Sequence, residues 1–405
     1  MMIRRAFIGA LAVVLAVGLL VVLPGGGSAQ QKVLKIGMSL PITGADKDSA
    51  DAIEKGAQMA IDEINSKGGV AGYKLESVVF DSATPAAGQY DPAQAATNYR
   101  KFIADATVVA AVGPVMSGEG KAISPILSEA DMATITPSST NPDITNPTMK
   151  SQYRPKGKAV YFRTVTTDAY QGPNMANHAF QNLKAKKIYV LDDGGAFGVG
   201  IADSFQKRAT ELGMQVLGRD RLDPKEADYK TILTKIKGLN PDALYYGGVQ
   251  QAGVKLARQA YEIMPTVHKL GSDGIYDLDF PNQAGKAAAA GWWASNASPD
   301  MLSDPKAETW ITKYKTAFKR EPTNYAITAY NGTLVIADAI DRTVKAGKPV
   351  NRANVRDAME QTKLTNTLQG PIEFDENGDI KYKVVSLYQV SGDGKFEYKG
   401  AAPQQ

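Results

Sequence analysis

The chain has 405 residues, and its 46 lysines and arginines nearly balance its 42 aspartates and glutamates. A net charge of +4 over this length is far below that of a typical nucleic-acid-binding protein, so we expect no nucleic acid as a partner. The sequence contains no cysteine, which excludes disulfides and thiolate metal sites, so the apolar core must stabilise the fold.

The first predicted element is a leader at the amino terminus. Arg4 and Arg5 precede the uncharged apolar run 6–23, and small residues follow it up to Ala29. This order predicts a signal peptide over residues 1–29, which would place the rest of the chain in the periplasm or outside the cell. The apolar run is also close to the length of a membrane span, so an uncleaved anchor is the alternative.

Strand and helix patterns alternate from residue 32 onward. The predicted strands of a first series are 34–40, 75–80, 107–112 and 132–135, and the predicted helices are 49–66, 92–103 and 121–129. The polar stretch 141–158 contains three prolines and is predicted to be a long surface loop. Strands that alternate with helices form parallel sheets with helices on both faces.

A second series of the same kind follows the polar stretch. Its predicted strands are 188–191, 216–217, 243–246 and 268–270, and its predicted helices are 199–212, 229–236 and 252–263. Three further helices (307–318, 325–344 and 353–361) precede the segments 370–374 and 382–390, which are predicted to pair as a terminal hairpin. The predicted fold class is therefore α/β, with two doubly wound parallel-sheet lobes and a cleft between their sheet edges.

Two turns rich in hydroxyl residues are the most informative motifs. Gly113–Ser117 and Thr136–Thr140 each follow a predicted strand of the first series. Open parallel sheets bind ligands beyond the carboxyl ends of their strands, where free backbone N–H groups and hydroxyls favour an anion. These turns therefore predict a site for a carboxylate. The alternative is that the Ser and Thr side chains only cap helices.

Motifs of enzymes, cofactors and metals are weak in this sequence. The glycine-rich segment 194–200 lacks the spacing of a dinucleotide-binding loop, and Asp375, Asn377 and Asp379 fit a hairpin turn better than a calcium loop. The two histidines lack the spacing of metal ligands, and the sequence has no nucleophile-elbow, zincin or Walker motif. We therefore predict a binding protein that needs no cofactor or metal and is not an enzyme.

Several short motifs, in their order and spacing, resemble one family across residues 32–398. The motifs are Lys35-Ile36-Gly37, Ser39–Gly44, Asp62–Asn65 with Lys67–Gly69, Gly113-Pro114 with Ser117, Thr136–Ser138, Gln171–Pro173, Tyr245–Gly248, and Gly370–Ile372 with Phe374-Asp375. In these motifs the chain is similar to the leucine/isoleucine/valine-binding family, the type I periplasmic binding proteins that serve ABC importers.

The resemblance implies a hinged Venus-flytrap fold in which the chain crosses between the lobes three times. Lobe one would comprise residues 32–167 and 296–383, and lobe two residues 168–295 and 384–400. The resemblance also implies closure on a small amino acid or related carboxylate and its delivery to a membrane permease, and we expect a monomer. A sensory receptor domain of the same fold is the alternative function, and amides, urea or aromatic acids are alternative ligands.

The resemblance carries the family's site over by position. Ser117 matches a serine that holds the ligand carboxylate, and Thr140 matches a threonine that contacts both the carboxylate and the ammonium. The carbonyl of Ser138 would accept from the ammonium. Asp273 falls where the family has an acid facing the ammonium, and an acid just after a strand end could pair with a buried cation, although an Asx turn would explain it too. Asp168, at a lobe crossing, is either a second ammonium partner or a cap or hinge acid.

The chain departs from the family at the wall of the site. At the positions of the tyrosines that cover the ligand in the family, this sequence has Ser49, Phe197 and Val249. Phe197 keeps an aromatic wall, and Tyr170 and Tyr276 are candidate replacements, although buried tyrosines also serve as core. We therefore expect the carboxylate grip to be retained and the side-chain pocket to be changed.

Overall fold

A computed structural model describes residues 31–403 of the chain. The predicted leader, residues 1–29, lies outside this range. Between residues 31 and 403, no helix combines the length and the apolar character that are needed to cross a bilayer.

The first sheet consists of five parallel strands. They are β1 (Lys32–Leu40), β2 (Tyr73–Asp81), β3 (Val108–Val112), β4 (Ala133–Thr136) and β5 (Tyr161–Arg163). Their spatial order is β2-β1-β3-β4-β5, and β1 pairs with β2 along its whole length. Every residue of β3 is buried, as expected for a central strand that helices cover on both faces.

The second sheet has seven strands, and the remaining two form a small separate pair. In chain order they are β6 (Lys187–Asp192), β7 (Gln215–Arg221), β8 (Ala243–Gly247), β9 (His268–Gly271), β10 (Trp293–Asn296), the pair β11 (Lys363–Leu364) and β12 (Ile372–Glu373), then β13 (Ser386–Val390) and β14 (Phe396–Ala401). The order in the second sheet is β14-β13-β10-β9-β8-β6-β7. Strands β6 to β10 run parallel, whereas β13 and β14 join antiparallel at one edge.

Helices cover both sheets. They are α1 (Lys47–Ser66), α2 (Pro92–Ala104), α3 (Ser117–Glu129), α4 (Lys150–Tyr153), α5 (Asp168–Gln181), α6 (Ala196–Glu211), α7 (Lys230–Gly238), α8 (Gln250–Ile263), α9 (Phe280–Ala284), α10 (Lys286–Ala289), α11 (Glu308–Phe318), α12 (Asn324–Lys345) and α13 (Arg352–Glu360). Helix α1 packs on α12 and α2 on α3 beside the first sheet, while α5 packs on α6 beside the second.

The chain passes between the two sheets three times. It leaves the first sheet after β5, leaves the second after β10, and enters the second again at β13. These passages lie side by side, since the Thr166 N–H donates to the Ala297 carbonyl at 2.8 Å and the Ser386 hydroxyl donates to the Ser298 carbonyl at 2.8 Å. The predicted fold class, two α/β lobes with three connections, is confirmed, while the residue boundaries of the lobes stay predictions.

The polar stretch 141–158 is more ordered than the sequence analysis predicted. It contains two 3-10 turns, Pro142–Ile144 and Pro147–Met149, followed by α4. Each 3-10 turn begins with proline, and the side chain of the preceding asparagine, Asn141 or Asn146, accepts a backbone hydrogen bond. This Asn-Pro pattern favours helical turns because proline fixes φ and needs no N–H partner.

The predicted terminal hairpin between 370–374 and 382–390 is wrong. Strand β12 pairs with β11, and β13 pairs with β10 and β14. Only the turn itself forms, where Phe374 bridges Ile380 and the Asp375 carboxylate accepts from the backbone N–H groups of Asn377 and Asp379. The turn forms from local hydrogen bonds, whereas the flanking strands pair with strands other than each other.

Two helices of the first lobe approach each other closely at Gly56. This residue lies on α1, and a Cβ atom there would overlap the backbone carbonyl of Ala326 on α12. Since backbone cannot rotate away as a side chain can, the α1–α12 contact requires glycine at this position.

We expect Gly56→Ala to lower the free energy of unfolding by about 1–3 kcal/mol, because the added methyl group overpacks the α1–α12 contact. Gly238→Ala on α7 is the matched control, since a Cβ there meets no atom within 4 Å. Alanine should be neutral or slightly stabilising in that helix. Thermal unfolding of both variants measures the difference, and equal melting temperatures would contradict the packing argument.

Candidate functional site

A cavity lies between the two lobes. Its lining residues are Asp46, Ser49, Val115, Met116, Ser117, Ser138, Ser139 and Tyr325 from the first lobe, and Phe197, Val249, Gln250, Asp273, Gly274 and Asp277 from the second. Most of them follow the carboxyl ends of parallel strands, which is where open α/β sheets bind ligands.

The two hydroxyl-rich turns of the first lobe meet at one wall of this cavity. Ser117 is the first residue of α3, and its Oγ accepts hydrogen bonds from the Ser139 hydroxyl and the Asn141 N–H, both at 3.2 Å. Because these bonds use only its lone pairs, the Ser117 hydroxyl keeps its own hydrogen for another acceptor. The N-cap position of α3 belongs to Met116, so Ser117 is not the cap that the alternative explanation required.

A buried arginine holds the second turn in place. Arg163 is fully buried and donates to the Ser139 carbonyl at 2.6 Å, to the Asn141 carbonyl at 2.7 Å and to the Asp379 carboxylate at 2.7 Å. The Ser138 hydroxyl adds a bond to the Val115 carbonyl at 2.8 Å, which joins the two turns. The donors of this wall are therefore positioned before any ligand arrives.

Thr140 lies beside the cavity but not on its lining. It is fully buried, and among the described residues its Oγ1 has no hydrogen-bond partner. Its carbonyl accepts from the Asp168 N–H at 3.0 Å, which ties the turn to the start of α5 in the other lobe. The structure thus places Thr140 at the passage between the lobes, next to the predicted carboxylate site.

Asp273 faces this wall from the second lobe. It follows β9, is almost fully buried, and lines the cavity. Its carboxylate accepts from the Gln171 amide at 2.8 Å and from the Tyr325 hydroxyl at 3.0 Å. Burial raises the pKa of Asp273 to about 6, against the lowering effect of these two bonds. A cationic group in the cavity would offset the cost of burying this carboxylate.

Asp168, the first residue of α5, lies behind Asp273 rather than on the lining. The Gln171 amide that donates to Asp273 also donates to Asp168 Oδ1, at 3.2 Å. Burial and the nearby Asp273 carboxylate raise the pKa of Asp168 to about 8. At neutral pH the pair is therefore favoured with a proton on Asp168 and the charge on Asp273.

The apolar wall of the cavity combines both lobes. Phe197 and Val249 from the second lobe cluster with Tyr90 and Met116 from the first. Of the candidate aromatic replacements, Tyr170 is 40% exposed and Tyr276 packs in the core against Tyr388, and neither lines the cavity.

The lobes touch each other across the cavity. The Ser49 hydroxyl donates to Asp277 Oδ2 at 2.9 Å, and the Asn141 amide donates to the Ala196 carbonyl at 2.9 Å. Together with the bond from Tyr325 to Asp273, these contacts hold the cleft in a closed form.

Four polar lining residues were not singled out in the sequence: Asp46, Gln250, Asp277 and Tyr325. The rule that ligands bind at strand ends also covers Asp46, Gln250 and Asp277, since each lies a few residues past a strand end. Tyr325 is the second residue of α12, and no local sequence signal marks it. Among residues 31–403, no group of three His, Cys, Asp or Glu side chains is arranged to hold a metal ion.

We expect Asp168→Asn to raise the melting temperature of the ligand-free protein at pH 7, by about 1–3 °C. The folded-state pKa of Asp168, about 8, lies above its ordinary value of 3.8, so the folded protein binds this proton more tightly than the unfolded chain. Its contribution to stability is therefore fully present below the ordinary value and is lost as pH rises towards 8. Between pH 5 and 8, the melting temperature should fall less steeply with rising pH in Asp168→Asn than in the parent.

Asp242→Asn is the control of opposite sign. Burial acts to raise the pKa of Asp242, but hydrogen bonds from the N–H groups of Lys186 and Lys187 lower it overall. This substitution should therefore reduce stability above the ordinary pKa. An Asp168 variant whose pH profile parallels that of the parent would show that Asp168 titrates normally in the folded protein.

Known proteins share this fold and much of this sequence. The sequence profile of the periplasmic binding protein family matches residues 33–395. The Leu/Ile/Val-binding protein BraC3 of Rhizobium johnstonii is 30% identical over 88% of this chain and 91% of its own length. The leucine-, isoleucine-, valine-, threonine- and alanine-binding protein of Pseudomonas aeruginosa is 30% identical over 88% of this chain and 89% of its own length.

A solved structure agrees with these relatives. The leucine-binding protein LivK of Thermotoga maritima superposes with a TM-score of 0.79 at 29% identity, covering 91% of this chain and 98% of its own. A profile match over nearly the whole described range, with relatives matched over 89–91% of their own length, shows that the chain belongs to the periplasmic binding protein family.

Proposed function

We propose that the protein is an extracytoplasmic solute-binding protein of an ABC importer, which captures an amino acid between its lobes and delivers it to a membrane permease. The observation that carries this proposal is the buried Asp273 carboxylate, which shares one cavity with the hydroxyl-rich wall of Ser117, Ser138 and Ser139. The names of the relatives as amino-acid-binding proteins support it.

The two sides of the cavity match the two charges of a zwitterion. The wall at the start of α3 offers the hydroxyl hydrogen of Ser117, together with the favourable dipole of the helix N-terminus, to a carboxylate. Asp273 offers a buried negative charge to an ammonium group. Thr140 and Asp168 lie directly behind these groups and would adjust the hydrogen bonding of each.

Membership of the periplasmic binding protein family supports an extracytoplasmic location. The predicted signal peptide, or an uncleaved anchor in its place, would direct the export of the chain. Delivery implies a membrane permease as the partner of the closed form, with the protein acting as a monomer. The names of the relatives describe binding, and we propose no catalytic activity.

Amides, urea and aromatic acids are the competing ligand classes, and a sensory receptor is the competing role. A ligand that lacks an ammonium would leave Asp273 buried without its counter-charge, which is unfavourable. Asp273 therefore favours an amino acid over an aromatic carboxylate. Transport of the bound solute, in cells with and without this protein, separates the importer from the receptor.

We expect Ser117→Ala and Asp273→Asn both to weaken binding of the amino acid that gives the largest thermal shift. Ser117→Ala removes one hydrogen bond to a charged group, a loss of about 1.5–3 kcal/mol. Asp273→Asn breaks a buried charge pair, a loss of about 3–5 kcal/mol. Calorimetry measures both, with Asp223→Asn, on an exposed loop of the same lobe, as the control.

The same pair of variants also distinguishes the ligand classes. For an aromatic acid, Asp273→Asn should leave the affinity unchanged or improve it, because a carboxylate near another anion is repulsive. If both variants bind the solute as tightly as the parent, the proposed site is wrong.

Solute should also change the shape of the protein. The bonds from Ser49 to Asp277 and from Tyr325 to Asp273 join the lobes only when the cleft is closed. We expect small-angle scattering to give a smaller radius of gyration with saturating solute than without it, since the ligand stabilises the closed form. If the radius of gyration is the same with and without solute and corresponds to an open cleft in both, the proposed closure on the solute is contradicted.

A further inference from the structure

The cavity contains more negative charge than an ordinary amino acid needs. Three carboxylates, of Asp46, Asp273 and Asp277, belong to its lining, and the described lining residues include no Lys, Arg or His. If Asp273 pairs with an α-ammonium group, Asp46 and Asp277 remain without a role in the proposed function.

Asp46 has an unused oxygen inside the cavity. The residue follows β1 at the start of α1 and is only 3% exposed. Its Oδ2 accepts from the Tyr90 N–H at 3.1 Å, while no hydrogen bond from the described residues reaches Oδ1. Burial, together with the charge of Asp193, raises the pKa of Asp46 to about 6. This oxygen faces the cavity, and a ligand that covers it without supplying a donor would leave a carboxylate oxygen unpaired, which is costly.

Asp277 closes the same cavity from the other lobe. It is 5% exposed, and it accepts from the Ser49 hydroxyl at 2.9 Å and from the Asp279 N–H at 2.9 Å. The Gln250 side-chain amide also donates to the Asp277 carboxylate at 3.2 Å, in the orientation in which its oxygen accepts from the Gln283 amide at 2.9 Å. Burial and the charge of Asp48 raise the pKa of Asp277 to about 7. Asp277 is thus a positioned acceptor that faces the cavity.

A neighbouring cation, Arg320, is paired outside the cavity. It bonds to Asp48 and Asp51, both on α1, and does not belong to the lining. The acidic side of the cavity therefore has no counter-ion from the lining residues that the structure describes.

The chemistry of the ligand's side chain decides which class of amino acid this cavity favours. An aliphatic side chain would leave Asp46 Oδ1 buried without a donor, and a carboxylate side chain would be repelled by both acids. A side chain that ends in a cation would supply the missing donor and charge. Its methylene stem would pack on the apolar wall of Val115, Phe197 and Val249, as long cationic side chains commonly do.

We propose that the solute is an amino acid with a cationic side chain, whose terminal charge pairs with Asp46 while Asp277 acts as a second acceptor. This inference rests on the proposed function, since it takes Asp273 and Ser117 as the binding groups of the α-ammonium and α-carboxylate. Ser49, which stands where the family has a tyrosine, leaves room for the longer side chain and orients Asp277.

Calorimetry at neutral pH with L-lysine, L-arginine and L-norleucine tests the proposal, because norleucine has the lysine stem without its terminal ammonium. We expect the parent to bind lysine or arginine about tenfold or more tighter than norleucine. Asp46→Asn should weaken binding of the cationic amino acid by about tenfold or more and leave norleucine unaffected or improved. Asp62→Asn, an exposed position on the same helix, is the matched control and should change neither affinity.

The outcomes separate this inference from the function on which it rests. If norleucine or leucine binds at least as tightly as lysine and arginine, the inference is overturned while the proposed function stands. If no amino acid binds, the proposed function fails as well. If Asp46→Asn does not fold, Asp277→Asn provides the same comparison. The inference is overturned if the folded variants prefer cationic ligands over norleucine as strongly as the parent does.

Discussion

The buried carboxylate of Asp273 is the group on which the closed cleft depends. It accepts hydrogen bonds from Gln171 on α5 of one lobe and from Tyr325 on α12 of the other. A carboxylate taken out of water must be hydrogen-bonded or paired, and here its donors come from both sides of the cleft. Opening the lobes would separate Tyr325 from Asp273 and return the acid to water. The charge of one side chain is therefore coupled directly to the position of the lobes.

This coupling explains why solute and closure belong together. In the closed cleft, burial raises the pKa values of Asp46, Asp168, Asp273 and Asp277 above the ordinary value for aspartate. Closing without a cation therefore has an electrostatic cost, which a bound cationic group offsets. A ligand shifts the balance between open and closed forms only through such differential stabilisation. The acids thus oppose closure of the empty cleft and favour closure around a cation.

The sheet topology places opposite chemistries face to face. In each lobe the parallel strands direct their carboxyl ends, and the loops that follow them, towards the cavity. The first lobe contributes hydroxyls and the N-terminus of α3, and Arg163 fixes the turn that carries them. The second lobe contributes Asp273 and the apolar residues Phe197 and Val249. The shared fold supplies the frame, and the side chains on these loops decide what is bound.

Most helices and strands follow from the order of residues along the chain, because helix and strand periods are properties of neighbouring residues. The rule that ligands bind at strand ends predicted Ser117 and Ser138, and with the family resemblance it predicted Asp273. Phe197 was predicted by the resemblance alone. All four residues line the cavity. The pairing of β13 with β10 depends on the packing of the whole chain, since those strands are distant in sequence. The convergence of Asp46, Asp277 and Tyr325 depends on it too, because residues of different lobes become neighbours only when the lobes pack together.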